Sequence, residues 1–503
     1  MEQIPTLEHI QNFKGKYPKQ LLYLFFSEMW ERFCFYGMRG MLVVFMVNHL
    51  AMDEKTANLQ YGATQAWVYA FTFIGGLFAD KILGFRKSLF WGGILMVVGS
   101  IVLAIDPENF FFIGIGFTIV GTGFFKPNIS SMVGQLYKDG DARRDAGFSF
   151  FYMGINLGAL IGGYICIAVA EGSLWQSLVP EHLRWNVGFG FAAIVMIISL
   201  LTFTQTQKSL GPIGLSPLSH VEKPKRKLYE SLTILGSLLI VPVIILMVKN
   251  VEYTKWFMIF IGPISLLYLA YEMRNFTVSE NKKLIAAVIF MLFSIVFWAF
   301  FEQSGGSLSL FAANNLNNEV LGVTLSPNGV NNSANSFFVI AFAALVGIVW
   351  LWMNKRKIEP NTVVKFGLAF LFLAGGFWIF YYTKFFAGAD GRTSLGLFTF
   401  AWFVITFGEL CLSPIGMSVM TKLSPYKTQA VIMGMWFLAS AYGQYFAGLL
   451  GANIAEASEN SSNLEKLNVY ANGYQQLGLY ALIAGVIMIA ISPLIKKLMQ
   501  EVK

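Results

Sequence analysis

The sequence predicts an all-α integral membrane protein of fourteen transmembrane helices, arranged as two blocks of six with a pair inserted between them. Composition is the first observation: 56% of the 503 residues are hydrophobic and 13% are charged, about half the charged share of a soluble chain. Second, apolar runs of roughly 20 residues, the length that crosses a bilayer, occur fourteen times. They lie near 21–50, 60–80, 88–105, 110–136, 146–170, 186–206, 229–248, 256–273, 284–312, 334–354, 364–383, 397–421, 428–452 and 474–495. Third, with the N-terminus inside, 26 of the 36 Lys and Arg fall on the cytoplasmic side and 7 on the other, the asymmetry that orients membrane proteins. Both termini are then cytoplasmic. Residues 1–20 are polar and lack a small-residue cleavage site, so no secretory signal is expected.

The same features exclude other classes. The net charge of +8 is spread over short loops without a concentrated patch, so no nucleic-acid partner is expected. Cys34, Cys166 and Cys411 lie within apolar runs without metal-ligand spacing and suggest packed thiols. No Ser/His/Asp set, His-Glu metal cluster or extramembrane domain supports a membrane enzyme or scaffold, and no cofactor is implied. A monomer suffices; the pattern does not specify an oligomeric state.

The first run holds Glu28, Glu31, Arg32 and Arg39. At about 100° per residue, these four and Tyr36 share one side of a helix, across roughly 140°. A charge in hydrocarbon costs at least a few kcal/mol, so such a stripe faces a bundle interior or a wet cavity. The second run ends in Gly75-Gly76-Leu77-Phe78-Ala79-Asp80-Lys81-Ile82-Leu83-Gly84-Phe85-Arg86-Lys87. This stretch resembles the loop signature of the major facilitator superfamily, in which Asp80 and Arg86 would latch adjacent helices; otherwise it is a positive-inside loop. In the fourth run, Lys126 precedes Pro127, which cannot donate a backbone hydrogen bond and is expected to open the helix. Lys126 either pairs with Glu28 or Glu31, or alternates between a carboxylate and substrate. The fifth run carries Gly154, Gly158 and Gly162 at the spacing of a close-packing face, and Asn156, which could bond a substrate or a neighbouring helix.

The segment 207–228 is polar, rich in Pro and Lys, and reads as a linker. It divides the chain into an N-terminal block, 1–206, a linker with an inserted helix pair, 207–283, and a C-terminal block, 284–503. The pair carries no strong intramembrane charge. The last block adds Glu302 and Glu409, which completes seven charges well inside the spans.

Several motifs together identify the chain as resembling the proton-coupled oligopeptide transporter family of the major facilitator superfamily. They are Glu28-x-x-Glu31-Arg32-Phe-x-Phe-Tyr36-Gly, Gly-Thr-Gly-x-x-Lys126-Pro, Phe151-Tyr-x-x-Ile-Asn156-x-Gly and Phe407-Gly-Glu409-Leu-Cys-Leu-Ser-Pro. The resemblance covers essentially the whole chain, inserted pair included. It implies a proton-driven symporter that imports di- and tripeptides by alternating access; the alternative is a symporter for another small anion, such as nitrate, or a peptide-like compound. It also implies roles. Glu28, Glu31, Arg32 and Lys126 would form a proton-responsive ion-pair network, and Glu302 would alternate between a proton and Arg39. Arg39 and Lys126 would take the peptide carboxylate and Glu409 its ammonium. Tyr36, Tyr69, Asn156, Trp298, Asn335, Trp436 and Ser440 would line the peptide cavity. The sequence departs from the family at Phe35, where many relatives carry tyrosine, at Phe301, acidic in some, and in lacking a histidine in the second run.

Overall fold

A computed structural model describes residues 5–138, 140–141, 143–320, 322–425, 429–456 and 461–500. Among these, fourteen helices have 21–30 residues. They are α1 (Lys19–Asn48), α2 (Glu54–Phe78), α3 (Phe85–Ile105), α4 (Pro107–Gln135), α5 (Arg143–Ala170), α6 (Arg184–Thr206), α7 (Lys223–Lys249), α8 (Val251–Glu272), α9 (Val278–Phe301), α10 (Pro327–Lys355), α11 (Thr362–Tyr382), α12 (Leu395–Leu423), α13 (Gln429–Glu456) and α14 (Asn463–Ala490). Twelve segments are long and apolar enough to cross a membrane. The two remaining long helices are α1, which carries the charged stripe, and α13. A two-residue strand pair, β1 (Glu319–Val320) antiparallel to β2 (Val323–Thr324), is the only sheet among the described residues.

The expected spans map onto helices with three instructive differences. The run at 284–312 is not one helix: α9 ends at Phe301, a single 3-10 turn covers Glu302–Gly305, and a nine-residue helix resumes at Ser307. The Gly305–Gly306 pair allows this break, and a Cβ on Gly305 would lie 1.8 Å from the Tyr61 hydroxyl. Second, α4 runs unbroken through Pro127, whereas an opened helix was expected there. Only the Gly123 carbonyl loses its helical donor to the proline, and side chains beside it bond neighbouring carbonyls, Asn128 Nδ2 that of Phe124 at 2.6 Å and Ser131 Oγ that of Pro127 at 3.0 Å. Third, α7 starts at Lys223, inside the stretch read as linker, with Pro224 in its first turn. Proline is pre-set for that position, where its missing N–H has no helical partner to lose.

Residues form two compact units, 1–41 with 67–250 and 42–66 with 251–503. In the first unit, small residues set the helix spacing. A Cβ on Gly158 would lie 2.1 Å from the Met29 carbonyl oxygen, and one on Gly162 2.3 Å from that of Phe33. The glycine face of α5 therefore lies directly on α1 and fixes the charged helix at backbone contact distance. Helix α7 belongs to this unit, through Trp91 Nε1–Ser237 Oγ at 2.8 Å and the Lys87–Glu230 ion pair at 2.7 Å. The linker is held too: Arg86 donates from its guanidinium to the Gly211 carbonyl at 2.5 Å and from its backbone to Gly214 at 3.0 Å. Gly84 turns the chain at φ 75°, where a Cβ would meet Leu215 at 2.5 Å. Only glycine takes that conformation freely.

The second unit packs through aromatic rings. Phe380 touches Phe377, Phe398, Trp402 and Tyr474 at centroid distances of 4.7–6.0 Å. Helix α8 belongs here, held where Tyr442 OH donates to the Met258 carbonyl and accepts from Gly262 N–H. The two inserted helices thus pack in different units.

Candidate functional site

In the first unit the site is built on α1. Arg32 sits one turn after Glu28, donates from Nε to Glu28 Oε1 at 2.8 Å and places Nη2 2.7 Å from the same oxygen. Glu31 Oε2 stands 3.3 Å from Arg32 Nε without hydrogen-bond geometry, and neither Glu31 oxygen has a hydrogen-bond partner among the described residues. All three groups are 4% exposed or less. One guanidinium therefore serves two buried carboxylates, bonding one directly and the other through charge alone. Lys126, from α4, lies within electrostatic reach of Glu31. Its ammonium stands 4.0 Å from the Tyr69 ring centroid and 5.7 Å from that of Phe35. Aromatic faces hold a cation without neutralising it. Arg39 is buried beside the Tyr36 ring, 5.7 Å from its centroid. Phe35, the departure from tyrosine, thus still contributes a face to the lysine.

Asn156 is buried, and its amide donates to the Tyr152 carbonyl of its own helix at 3.0 Å. Asp80 is exposed in a π-helical turn, Ala79–Leu83, while Arg86 holds the linker backbone. The three cysteines are free and buried.

In the second unit the site is built on α10 and α12. Asn335 Nδ2 donates to Glu409 Oε2 at 2.7 Å and to Thr406 Oγ1 at 3.2 Å. Thr406 in turn donates to the Trp402 carbonyl, and Trp402 Nε1 to Asn331 Oδ1 at 3.2 Å. Asn331 continues to the Ser304 carbonyl at 2.6 Å and Ser309 Oγ at 3.3 Å. A chain of neutral groups thus runs from Glu409 to the broken turn after α9. Glu302 caps that helix end, is buried, and is electrostatically coupled to Glu409. Of the other expected lining residues, Trp298 stacks edge-on to Phe301 at 5.3 Å, Trp436 is buried, and Ser440 Oγ donates to the Trp436 carbonyl at 3.3 Å.

The sequence reading missed Asn331, Trp402 and Ser309 as parts of this network. The signal was present, because Asn328, Asn331, Asn332 and Asn335 recur at i, i+3, i+4 and i+7, one face of a helix. Also missed was Glu54, which pairs with Lys466 at 2.7 Å and accepts from Tyr470 OH at 2.6 Å.

The family model described as PTR2, POT family, covers residues 86–469. The chain belongs to the POT family. A peptide transporter of Yersinia enterocolitica subsp. palearctica, YePEPT, is 33% identical over 464 residues, covering 87% of this chain and 88% of its own. A di-/tripeptide transporter of Lactococcus lactis subsp. cremoris is 31% identical over 517 residues, covering 97% of each. Among solved structures, a point mutant of a peptide transporter POT in complex with alafosfalin is 32% identical, with a TM-score of 0.82 over 99% of this chain and 100% of the other. The fold of this POT-family chain is therefore that of the solved transporters, in keeping with its all-α reading.

Proposed function

We propose that this chain is a proton-driven symporter that imports di- and tripeptides. The Glu28–Arg32–Glu31 cluster carries the reading. Two carboxylates face one guanidinium, so the trio is charge-balanced either with one proton bound or with the Lys126 ammonium counted in. A proton and Lys126 are then interchangeable counter-charges. A peptide carboxylate that draws Lys126 away leaves the cluster one positive charge short, and a proton supplies it. Substrate binding and proton binding would favour one another, which is the coupling a symporter requires.

Arg39 would share the peptide carboxylate with Lys126, while Glu409, oriented by Asn335, would accept the ammonium. Glu302 would exchange a proton as Arg39 is engaged or released. A peptide has both termini whatever its side chains, so this recognition suits broad specificity. The aromatic and amide groups Tyr36, Tyr69, Asn156, Trp298, Asn335, Trp436 and Ser440 would line the side-chain space, with Asp80 and Arg86 acting in the gating loop. The host membrane would be a bacterial inner membrane with both termini cytoplasmic. A potential of 100 mV supplies about 2.3 kcal/mol per charge and one pH unit about 1.4 kcal/mol. Together they support accumulation of about 500-fold for one proton per peptide.

The test is uptake of di-alanine into proteoliposomes with an imposed inward proton gradient. Gradient-stimulated accumulation is expected, with competition by tripeptides. Uptake indifferent to the gradient would remove the coupling, and uptake inhibited by nitrate but not by dipeptides would replace the substrate.

A further inference from the structure

A cleft of about 390 Å³ opens on the side of the first unit, between α2, α4 and α7. Phe71, Ile74 and Phe78 of α2, Ile82 of the π-helical turn and Phe124 of α4 form one wall, and α7 from Tyr229 to Ile240 forms the other. The mouth is rimmed by Phe78, Tyr229 and Leu232, all exposed. Side chains do not fill the cleft, because α7 places Gly236 in the middle of its wall. A Cβ there would find no neighbouring atom within 4 Å, which is open space in a molecule that elsewhere packs closely. The wall from Tyr229 to Ile240 rises about 16 Å at 1.5 Å per residue, half of a hydrocarbon core of about 30 Å. The cleft is one leaflet deep.

Its polar groups are spent. Thr233 Oγ1 donates to the Tyr229 carbonyl at 2.9 Å and Ser237 Oγ to that of Ile234 at 2.6 Å, while Ser237 also accepts from Trp91 Nε1. A polar occupant would lose its water without gaining partners, whereas a hydrocarbon chain loses nothing. The charged termini of a peptide have no place here, so the cleft is distinct from a site for the transported substrate.

The loop end of the cleft is different in kind. Residues 80–87 and 222–230 hold seven cations and three carboxylates, Asp80, Glu222 and Glu230. Glu222 stands 3.4 Å from Lys225, and Glu230 serves both Lys87, at 2.7 Å, and Arg226, at 3.6 Å. Arg226 lies one turn before Tyr229, and its Nε lacks a hydrogen-bond partner among the described residues. On the facing wall Lys81, next to Ile82, is exposed and has no ion pair among the described residues. Cations in the first turn of α7 oppose the helix dipole, and Glu222 at the N-cap makes no side-chain cap bond. An anion at this end would answer both.

We propose that the cleft binds an anionic glycerophospholipid, with one acyl chain along Gly236 and the phosphate between Arg226 and Lys81. Basic pockets between membrane-spanning helices select anionic headgroups, and Tyr229 at the rim is a residue type enriched at headgroup level. The lipid would fill the space between α2 and α7 and so belong to the packing of the first unit.

The test is native mass spectrometry of the full-length protein released from nanodiscs of equimolar phosphatidylglycerol and phosphatidylcholine with the same chains. One phosphatidylglycerol is expected to stay bound, with at least tenfold preference over phosphatidylcholine. Gly236→Leu fills the cleft without a clash and should cut this retention at least tenfold. Gly347→Leu, at an equally open position of α10, should leave it unchanged. Arg226→Gln combined with Lys81→Gln keeps the Lys87–Glu230 pair and should bring phosphatidylglycerol down to the level of phosphatidylcholine. Unfolding temperatures near wild type would show that the variants fold. Equal retention of the two lipids by the wild type overturns the proposal. So does phosphatidylglycerol retention that survives Gly236→Leu or the paired charge substitution, or that falls as far in Gly347→Leu. A dimer lost in Gly236→Leu would assign the cleft to a second copy of the chain and likewise overturn it.

Discussion

The two units hold their candidate carboxylates by different means. Glu28 and Glu31 in the first unit share a guanidinium, and Glu31 has no hydrogen-bond donor of its own among the described residues. Glu409 in the second unit is held by a neutral amide, Asn335, backed by Thr406, Trp402 and Asn331. An ion pair fixes both position and charge, and in low dielectric its energy is large in either sense. An amide donor fixes position while serving a carboxylate or a neutral acid alike, because N–H can donate to either oxygen. The first arrangement suits a group that reports a change of counter-charge. The second suits a group that waits for a cation from outside the protein.

This contrast can be broken by substitution, and the largest effect is expected at Arg32. Removing it in Arg32→Ala leaves two buried carboxylates facing one another, a loss of about 3–5 kcal/mol for a broken buried pair. Thermal unfolding in detergent should show a much-reduced midpoint; a midpoint within a degree of wild type would mean that the cluster is not balanced by Arg32. Lys126→Ala should abolish gradient-driven uptake. Its effect on unfolding should be smaller, since a cation over an aromatic face is worth about 0.5–2 kcal/mol. Driven uptake equal to wild type would take Lys126 out of the coupling.

Asn335→Ala deletes a hydrogen bond to a carboxylate, worth about 1.5–3 kcal/mol when the partner is charged. We expect weaker dipeptide binding, and a double-mutant cycle with Glu409→Gln should give a coupling energy above 1 kcal/mol. Additive effects would separate the two residues. The smallest change is expected from Trp402→Phe, which keeps the ring packing and removes the bond to Asn331. That should cost about 1 kcal/mol in unfolding and leave gradient dependence intact; loss of gradient dependence would show that the neutral chain also carries coupling.

Much of the fold was legible because the bilayer imposes a length. Apolar runs of about 20 residues must be helices, and twelve of the fourteen expected runs fall on one long helix each, while the run at 474–495 passes from α14 into a short helix, Ser492–Met499. The run at 284–312 was also found, but its break at Glu302 was not. Its hydropathy continues across Gly305 and Gly306, and only the Tyr61 hydroxyl packed against Gly305 shows why the helix yields there. The course of α4 through Pro127 was hidden for a similar reason, since a proline removes a single helical hydrogen bond and whether the helix continues past it is set by packing that leaves no mark in the apolar pattern.

The candidate site divides along the same line. The charged stripe on α1 was readable from a single helical period, because an ionised side chain in an apolar run has few alternatives to a functional or paired position. The partners were not. That Arg32 bonds Glu28 more closely than Glu31, that Lys126 sits against Tyr69 and Phe35, and that Asn156 turns back on its own helix all depend on rotamers and helix spacing.

By itself, then, the sequence determined which residues must cross a membrane, which charges go with them, and that these lie on common helix faces, because hydrophobic transfer and helical periodicity are local properties. Only the tertiary structure decided which charge meets which, where glycines let backbones touch, and where a helix breaks. Those outcomes depend on contacts between residues distant in the chain, and such contacts exist only once the helices have packed.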